Sequence, residues 1–420
     1  MNVAKRFRKG VAYTSIAHIL NIILLFVGLA IAVRFVSPHE FGKFVLLSVV
    51  AQFLTMLADF GIRTAVVKFL SAETKMQGEI ASTCIAASLF ASAAILIVVW
   101  CLGDTLIFIF NLSDLTNLKL FVFFLFFPQH FQSQLTSFLQ GLHLYGRFAS
   151  VQVFGAGAKC LLILLLVMVF PFGFTGLMIA TIGGTALSCL LAFILTPLRL
   201  VPQINLPMLR RLLSFGLPIQ IGGFCGFVFE RADAIMLGAF LGPVSVSIYE
   251  VGYKIPNQIR NFFEAFRSIF FPHLSHYYGK GDYFLARTEL KTTLRLVSFA
   301  MTGLTLVALM YGRDLITLLF SATYAPSGAV FFILMIGISV GMANYFMGTA
   351  LLASGRAKAT LFASIPEALI NVGINLLLIP GYGVIGAAWA STLSRVIVNP
   401  IFLIGSIHSS GIPNAINSSF

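Results

Sequence analysis

The chain has 420 residues, 59% of them hydrophobic and only 10% charged, with 43 phenylalanines and a formal net charge of +13. A mean hydropathy of +0.97 excludes a water-soluble globule, in which about a quarter of the residues would be charged. So much apolar surface cannot hide in one core, and the composition describes an all-α polytopic membrane protein.

In chain order, MNVAKRFRKG imitates the start of a secretory leader. The run VAYTSIAHILNIILLFVGLAIAV that follows is long enough to span a bilayer, and no small-residue cleavage site comes after it. It is expected to stay as the first membrane helix, over 11–33. Further spans are predicted near 44–62, 80–102, 118–140, 148–170, 174–196, 213–241, 246–271, 293–311, 326–352, 358–379 and 383–406, which makes twelve. Pro and Gly turn the chain at PFG (171–173) and PGYG (380–383).

Basic residues orient these spans. Seventeen Lys and Arg, among them Lys5, Arg6, Arg8, Lys9, Arg63, Lys68, Lys75, Arg147, Arg199, Arg210, Arg211, Arg356 and Lys358, flank spans on the side of the N-terminus. Only Arg34, Lys43, Lys119 and Arg313 lie on the other side, so both termini are expected in the cytoplasm. The six remaining cations, Lys159, Arg231, Lys254, Arg260, Arg267 and Arg395, fall inside predicted spans.

The chain also resembles itself. From Gly146 to Pro171 and from Gly355 to Pro380 the distance is 25 positions, and PFGFTGLMIA (171–180) resembles PGYGVIGAAWA (380–390). FVSPHEFGKF (35–44) parallels FLGPVSVSIY (240–249). The offset divides the chain into two pseudo-repeated six-helix lobes, 1–200 and 201–420, the arrangement of parallel-repeat transporters.

The most unusual stretch is FERADAIMLG (229–238), in which Glu230, Arg231 and Asp233 interrupt an apolar run. Each such charge costs about 2.5 to 3.5 kcal/mol at mid-membrane even on a lenient scale. Arg231 and Asp233 are two apart on a helix, so they point different ways and need partners from other spans. In the eighth span Glu250, Lys254, Asn257, Asn261, Glu264 and Ser268 step by four, three, four, three and four, forming one stripe, with Arg260 and Arg267 on its flank. At the repeat offset Gln52 falls on Asn257 and Asp59 on Glu264. Ser364, Glu367, Asn371 and Asn375 form a further stripe, as do Ser391, Arg395 and Asn399.

Such faces must meet one another or line a wet cavity. Ion-pair glue is the plain reading of Glu250 and Lys254, one turn apart. The full set exceeds what helix packing needs and points to a cationic, water-filled cavity. Lys and Arg suit phosphate. Asn257, Asn261, Asn371, Asn375, Gln52, Tyr249 and Tyr253 suit sugar.

Rival readings find less support. An integral-membrane glycan polymerase or transferase needs a sizeable outer loop, yet the longest, 103–117 and 311–325, are about 15 residues. His273 and His276 lack the Glu of a zinc-protease motif and sit in an expected cytoplasmic loop. The five Cys form no C-x-x-C, and there is no Walker-type loop. Neither enzyme activity nor a cofactor, metal or nucleic acid is therefore expected. A MATE-like drug/cation antiporter would carry an acidic cavity, and Asp59, Glu230, Asp233, Glu250, Glu264 and Glu367 come close to balancing the six cations.

Six plus six spans, the loop SPHEFGKF, the run RADAIMLGAFLGPVSVSIYEVGYKI and the closing GR…P-x-G…G-A-A resemble one particular family. This is the polysaccharide-export branch of the multidrug/oligosaccharidyl-lipid/polysaccharide (MOP) exporters, in particular the bacterial O-antigen (Wzx-type) flippases. The resemblance covers essentially the whole chain and is most specific in the run from Arg231. It implies a V-shaped pair of lobes working by alternating access. The implied cargo is an undecaprenyl-diphosphate-linked oligosaccharide, turned from the cytoplasmic to the periplasmic leaflet of the bacterial inner membrane.

A basic cavity would hold diphosphate and sugar. That role carries over to Arg231 and Lys254 by motif, and to Lys159, Arg260, Arg267 and Arg395 by buried position. The acids, Asp233, Glu250, Glu264, Asp59, Glu230 and Glu367, are expected to release these cations or to couple a H+ or Na+ counter-ion. Glycan polymerase and chain-length proteins are the protein partners it implies. Lipid II flippases add two C-terminal spans that are not expected here.

Overall fold

The computed structural model describes residues 3–110, 112, 117–198, 201–354 and 357–409. Among them the chain is helical, with no strand. The helices are α1 (Val3–Phe35), α2 (Pro38–Asp59), α3 (Ile62–Ala72), α4 (Gln77–Ile109), α5 (Leu118–Gly141) and α6 (Tyr145–Ile163), which runs on as a π-helical stretch over Leu164–Val169. Then come α7 (Gly173–Leu195), α8 (Leu206–Leu241), α9 (Pro243–Gly279), α10 (Tyr283–Leu319), α11 (Ser327–Ala353) and α12 (Ala357–Ser409).

Every predicted span falls on one of these helices. The last two share α12, which breaks at Gly383, where φ is +58° and ψ −134°. Among the described residues nine helices are long and apolar enough to cross a membrane. The chain is a multi-pass membrane protein. α5, with four glutamines and a histidine, and α9, with its charged stripe, do not reach that apolarity.

Three local expectations are corrected. Phe60 and Gly61, both at positive φ, end α2 and start an additional short helix, α3. His273 and His276 lie on α9, not in a loop, because that helix continues to Gly279. The expected outer loops 103–117 and 311–325 are largely taken up by α4 and α10, which run on to Ile109 and Leu319. The common cause is that hydropathy marks where the bilayer ends, whereas a helix stops only where its backbone finds a cap or a turn. Of the orienting cations, Arg199 and Arg356 lie outside the described residues, as do the side chains of Lys5, Arg6, Arg8, Lys9 and Lys358.

The chain forms two compact units, Met1–Phe224 with Leu241–Ser247, and Cys225–Phe240 with Ile248–Phe420. In the first, α6 packs between α1 and α7, and α5 packs against α2, α3, α4 and α7. Val66, Leu70, Ile80, Phe138 and Leu139 form a fully buried core there. The motif SPHEFG has a local logic. Ser37 caps α2 by accepting from the Glu40 amide at 3.3 Å, Pro38 opens the helix, and a Cβ on Gly42 would strike the Pro243 carbonyl.

The start of α8 is clamped to the same unit. Arg211 pairs with Glu73 and lies 4.4 Å over the Phe69 ring, while the Lys68 ammonium sits 3.8 Å over Phe215. Gln220 donates to the Met56 carbonyl at 2.6 Å. In the second unit, α11 packs against α10 and α12. Ser327 at the head of α11 donates to the Ile248 carbonyl of α9 at 2.6 Å, and Thr392 of α12 donates to the Ile333 carbonyl at 2.9 Å.

Gly61 and Gly216 touch backbone to backbone, and a Cβ on Gly216 would sit 2.5 Å from the Gly61 carbonyl oxygen. Gly216→Val is therefore expected to cost about 1–3 kcal/mol of stability or to prevent folding. Gly226→Val, on the same helix with nothing within 4 Å of its Cβ, is the matched control. Thermal unfolding of the two purified variants in detergent checks this, and equal loss in both would refute the contact.

Candidate functional site

The charged knot of α8 meets the polar stripe of α9. Glu250 and Lys254 are one turn apart on α9, with Nζ 2.8 Å from Oε1. The other Glu250 oxygen lies 3.5 Å from Arg231 Nη1. One carboxylate, 4% exposed, thus serves two cations. Arg231 also lies 6.0 Å from the centre of the Tyr253 ring.

A turn further along, Arg260 reaches Glu230 at 2.6 Å and Asn257 Oδ1 at 2.8 Å, and the Tyr253 hydroxyl donates to the same oxygen at 3.2 Å. Asn261 donates to Gln258 at 3.3 Å. Among the described residues this network joins Arg231, Lys254 and Arg260 with Glu230 and Glu250. Arg267, further along α9, lies 4.7 Å over Tyr345.

Asp233 points the other way, as its two-residue offset from Arg231 requires. It is 3% exposed and accepts hydrogen bonds from the Tyr249 hydroxyl, the Ser391 hydroxyl and Asn375 Nδ2, the last at 2.5 Å. Asn375 donates to Asn371 at 3.1 Å, and Asn371 donates to Ser391 at 3.3 Å. Asn375 Oδ1 is buried without a hydrogen-bond partner. This cluster gathers α8, α9 and both arms of α12 around one acid. Arg395 lies 5.1 Å over Phe229 and within electrostatic reach of Asp233 and of the half-buried Glu367.

The remaining candidates lie apart from these two groups. Lys159 is on α6 in the first unit, 5.9 Å from the Phe44 ring, with its backbone pressed against Gly184. Asp59, 7% exposed, accepts from Gln134 Nε2 at 2.9 Å and from the Arg63 amide at 3.2 Å. The side chains of Glu264, Ser268, Ser364 and Asn399 lie outside the described residues.

Of the residues expected as sugar ligands, Asn375 and Tyr249 bond Asp233, and Asn371 bonds Ser391 and Asn375. Their spacing gave the shared face but not which group it would meet. Gln134, Cys84 and His130 were not anticipated. The signal for them was a pair of polar residues four apart in the otherwise aromatic α5.

Residues 31–329 match the family described as polysaccharide biosynthesis protein. The chain belongs to this family. It is 22% identical over 189 residues to the probable low-salt glycan biosynthesis flippase Agl15 of Haloferax volcanii, a match spanning 44% of this chain and 39% of that protein. It is 20% identical over 403 residues to the capsular polysaccharide biosynthesis protein CapF of Staphylococcus aureus, covering 93% and 96% of the two chains.

Two solved structures show the same fold. The lipid II flippase MurJ in its inward closed conformation superposes with a TM-score of 0.77 at 15% identity, over 94% of this chain and 87% of that one. An inward-facing multidrug MATE transporter of the MOP superfamily gives 0.71 at 14% identity, over 93% and 94%. The architecture of this family member is thus the fold shared by these two MOP-type transporters.

Removing the shared carboxylate leaves two half-buried cations uncompensated. Glu250→Gln is expected to cost about 3–5 kcal/mol of stability, and adding Arg231→Met is expected to recover part of it. Detergent-solubilised melting temperatures of the single and double variants measure the coupling. Purely additive losses would show that the network is not a unit.

Proposed function

We propose that the protein is a flippase for an undecaprenyl-diphosphate-linked oligosaccharide, O-antigen or a similar repeat unit. It moves this cargo from the cytoplasmic to the periplasmic leaflet of the bacterial inner membrane, both of its termini being cytoplasmic. The observation that carries the reading is the pair of cations, Arg231 and Lys254, that share the single carboxylate of Glu250 on the α8–α9 pair of a polysaccharide-family protein. A diphosphate offers several oxygens with a charge of about −2, and Arg and Lys bind such groups through a fork and a point charge respectively. It would compete with Glu250 for Arg231 and Lys254, while Asn257, Asn261 and the Tyr253 face serve the sugar. Arg267 and Arg395 extend the positive field of this unit, and Glu230, Glu367 and Glu264 balance it when the site is empty.

In this reading the lobes 1–200 and 201–420 alternate access about the central linker. An inside-negative potential of 100 mV favours outward passage of each negative charge by about 2.3 kcal/mol. Asp233 supplies coupling. Its carboxylate, with the oxygens of Asn371, Asn375 and Ser391, forms a seat for a proton or a sodium ion, and the unused Asn375 oxygen is one ligand.

The test uses proteoliposomes containing a fluorescent undecaprenyl-diphosphate oligosaccharide. Arg231→Ala and Lys254→Ala, stably inserted, are expected to slow translocation at least roughly tenfold, as loss of a charge-assisted ligand predicts. Translocation at the unmodified rate in both would refute the site. Asp233→Asn is expected to remove the response to an imposed proton or sodium gradient while cargo binding persists. An undiminished response would remove Asp233 from coupling.

A further inference from the structure

We propose that Asp59 and His130 together bind one proton inside the first unit, at a site separate from the Asp233 cluster. α2 and α5 meet along two rungs. Asp59 on α2 faces Gln134 on α5, joined at 2.9 Å. One turn earlier on both helices, Thr55 faces His130. The imidazole is fully buried, stacked on Phe126 with ring centres 5.5 Å apart and set edge-on to Phe131 at 5.8 Å.

Neither ring nitrogen has a hydrogen-bond partner. The Thr55 carbonyl, one turn before Asp59 on α2, faces the ring. A buried polar group left in that condition requires a physical reason.

The carboxylate is incomplete in the complementary sense. Both of its hydrogen bonds fall on Oδ1, and among the described residues no cation lies within ion-pair distance of it. Gln134 has no freedom to do more, because its Oε1 accepts from Cys84 Sγ at 3.4 Å.

The groups facing His130 are few. α2 brings Asp59, α3 brings Arg63 and α4 brings Cys84, which lies within reach of Asp59. α6 and α7 meet this part of α5 at Gln132, through Gly155 and Ser188, neither of which titrates.

One proton answers both deficits. Added to the second ring nitrogen of His130, it makes both nitrogens donors and brings a positive charge beside Asp59. No other bond changes. Loading the site converts a lone buried charge into an ion pair between α2 and α5, whereas unloading leaves the neutral imidazole among its phenylalanines. The site therefore senses protons through the packing of these two helices.

The test needs no cargo, so its outcome is independent of any flipping assay. The full chain, labelled with 15N-histidine, is purified in detergent, and its ring signals are followed by NMR. The chain has seven histidines, and loss of one signal in His130→Gln assigns the relevant one. It is expected to titrate between about pH 4 and pH 8, and Asp59→Asn should lower its midpoint by about one unit, a tenfold loss of proton affinity. Gln134→Leu, which strips a donor from the carboxylate and keeps both partners, should move the midpoint upward. A His130 signal constant between about pH 4 and pH 9, or a midpoint that moves in neither variant, overturns the proposal.

Discussion

A charge inside hydrocarbon persists only beside an opposite charge or a set of dipoles, and this constraint organises the polar interior of the protein. Glu250 is where it acts most visibly. Without that carboxylate, Arg231 and Lys254 would both be stranded, since neither has another acid within ion-pair distance among the described residues. The four-residue step on α9 places Glu250 beside Lys254, and helix pairing then brings Arg231 to the free oxygen. Both cations are held in the low-dielectric layer by this one shared acid.

Asp233 shows the same constraint solved with dipoles instead of charges. Three hydrogen bonds from Tyr249, Asn375 and Ser391 stand where Glu250 has two cations. The two residues separating Arg231 from Asp233 therefore split α8 into two electrostatic faces, one ionic and one polar-neutral. Within the first unit Asp59 is treated in the second way, by Gln134 and a backbone amide. Each unit thus buries an acid held by an amide side chain.

In the proposed reading the cargo brings an anionic, hydrated group into a low-dielectric layer, and cations already assembled there lower that barrier without reorganising solvent. The backbone contacts between Gly42 and Pro243, and between Gly61 and Gly216, set helices close enough for short hydrogen bonds across them.

Composition alone determined that the chain is a multi-pass helical membrane protein, because so much apolar surface has no other home. Periodicity determined that α9 carries one polar stripe and that Arg231 and Asp233 diverge, because helical spacing is a property of the backbone. The tight glycine–glycine approach, the sharing of Glu250, the gathering of Asn371, Asn375 and Ser391 around Asp233, and the solitary His130 were decided by tertiary structure alone. Each of these depends on which helix face lies opposite which. The sequence records the faces, but the choice between opposing faces is made by packing among residues as far as 158 positions apart.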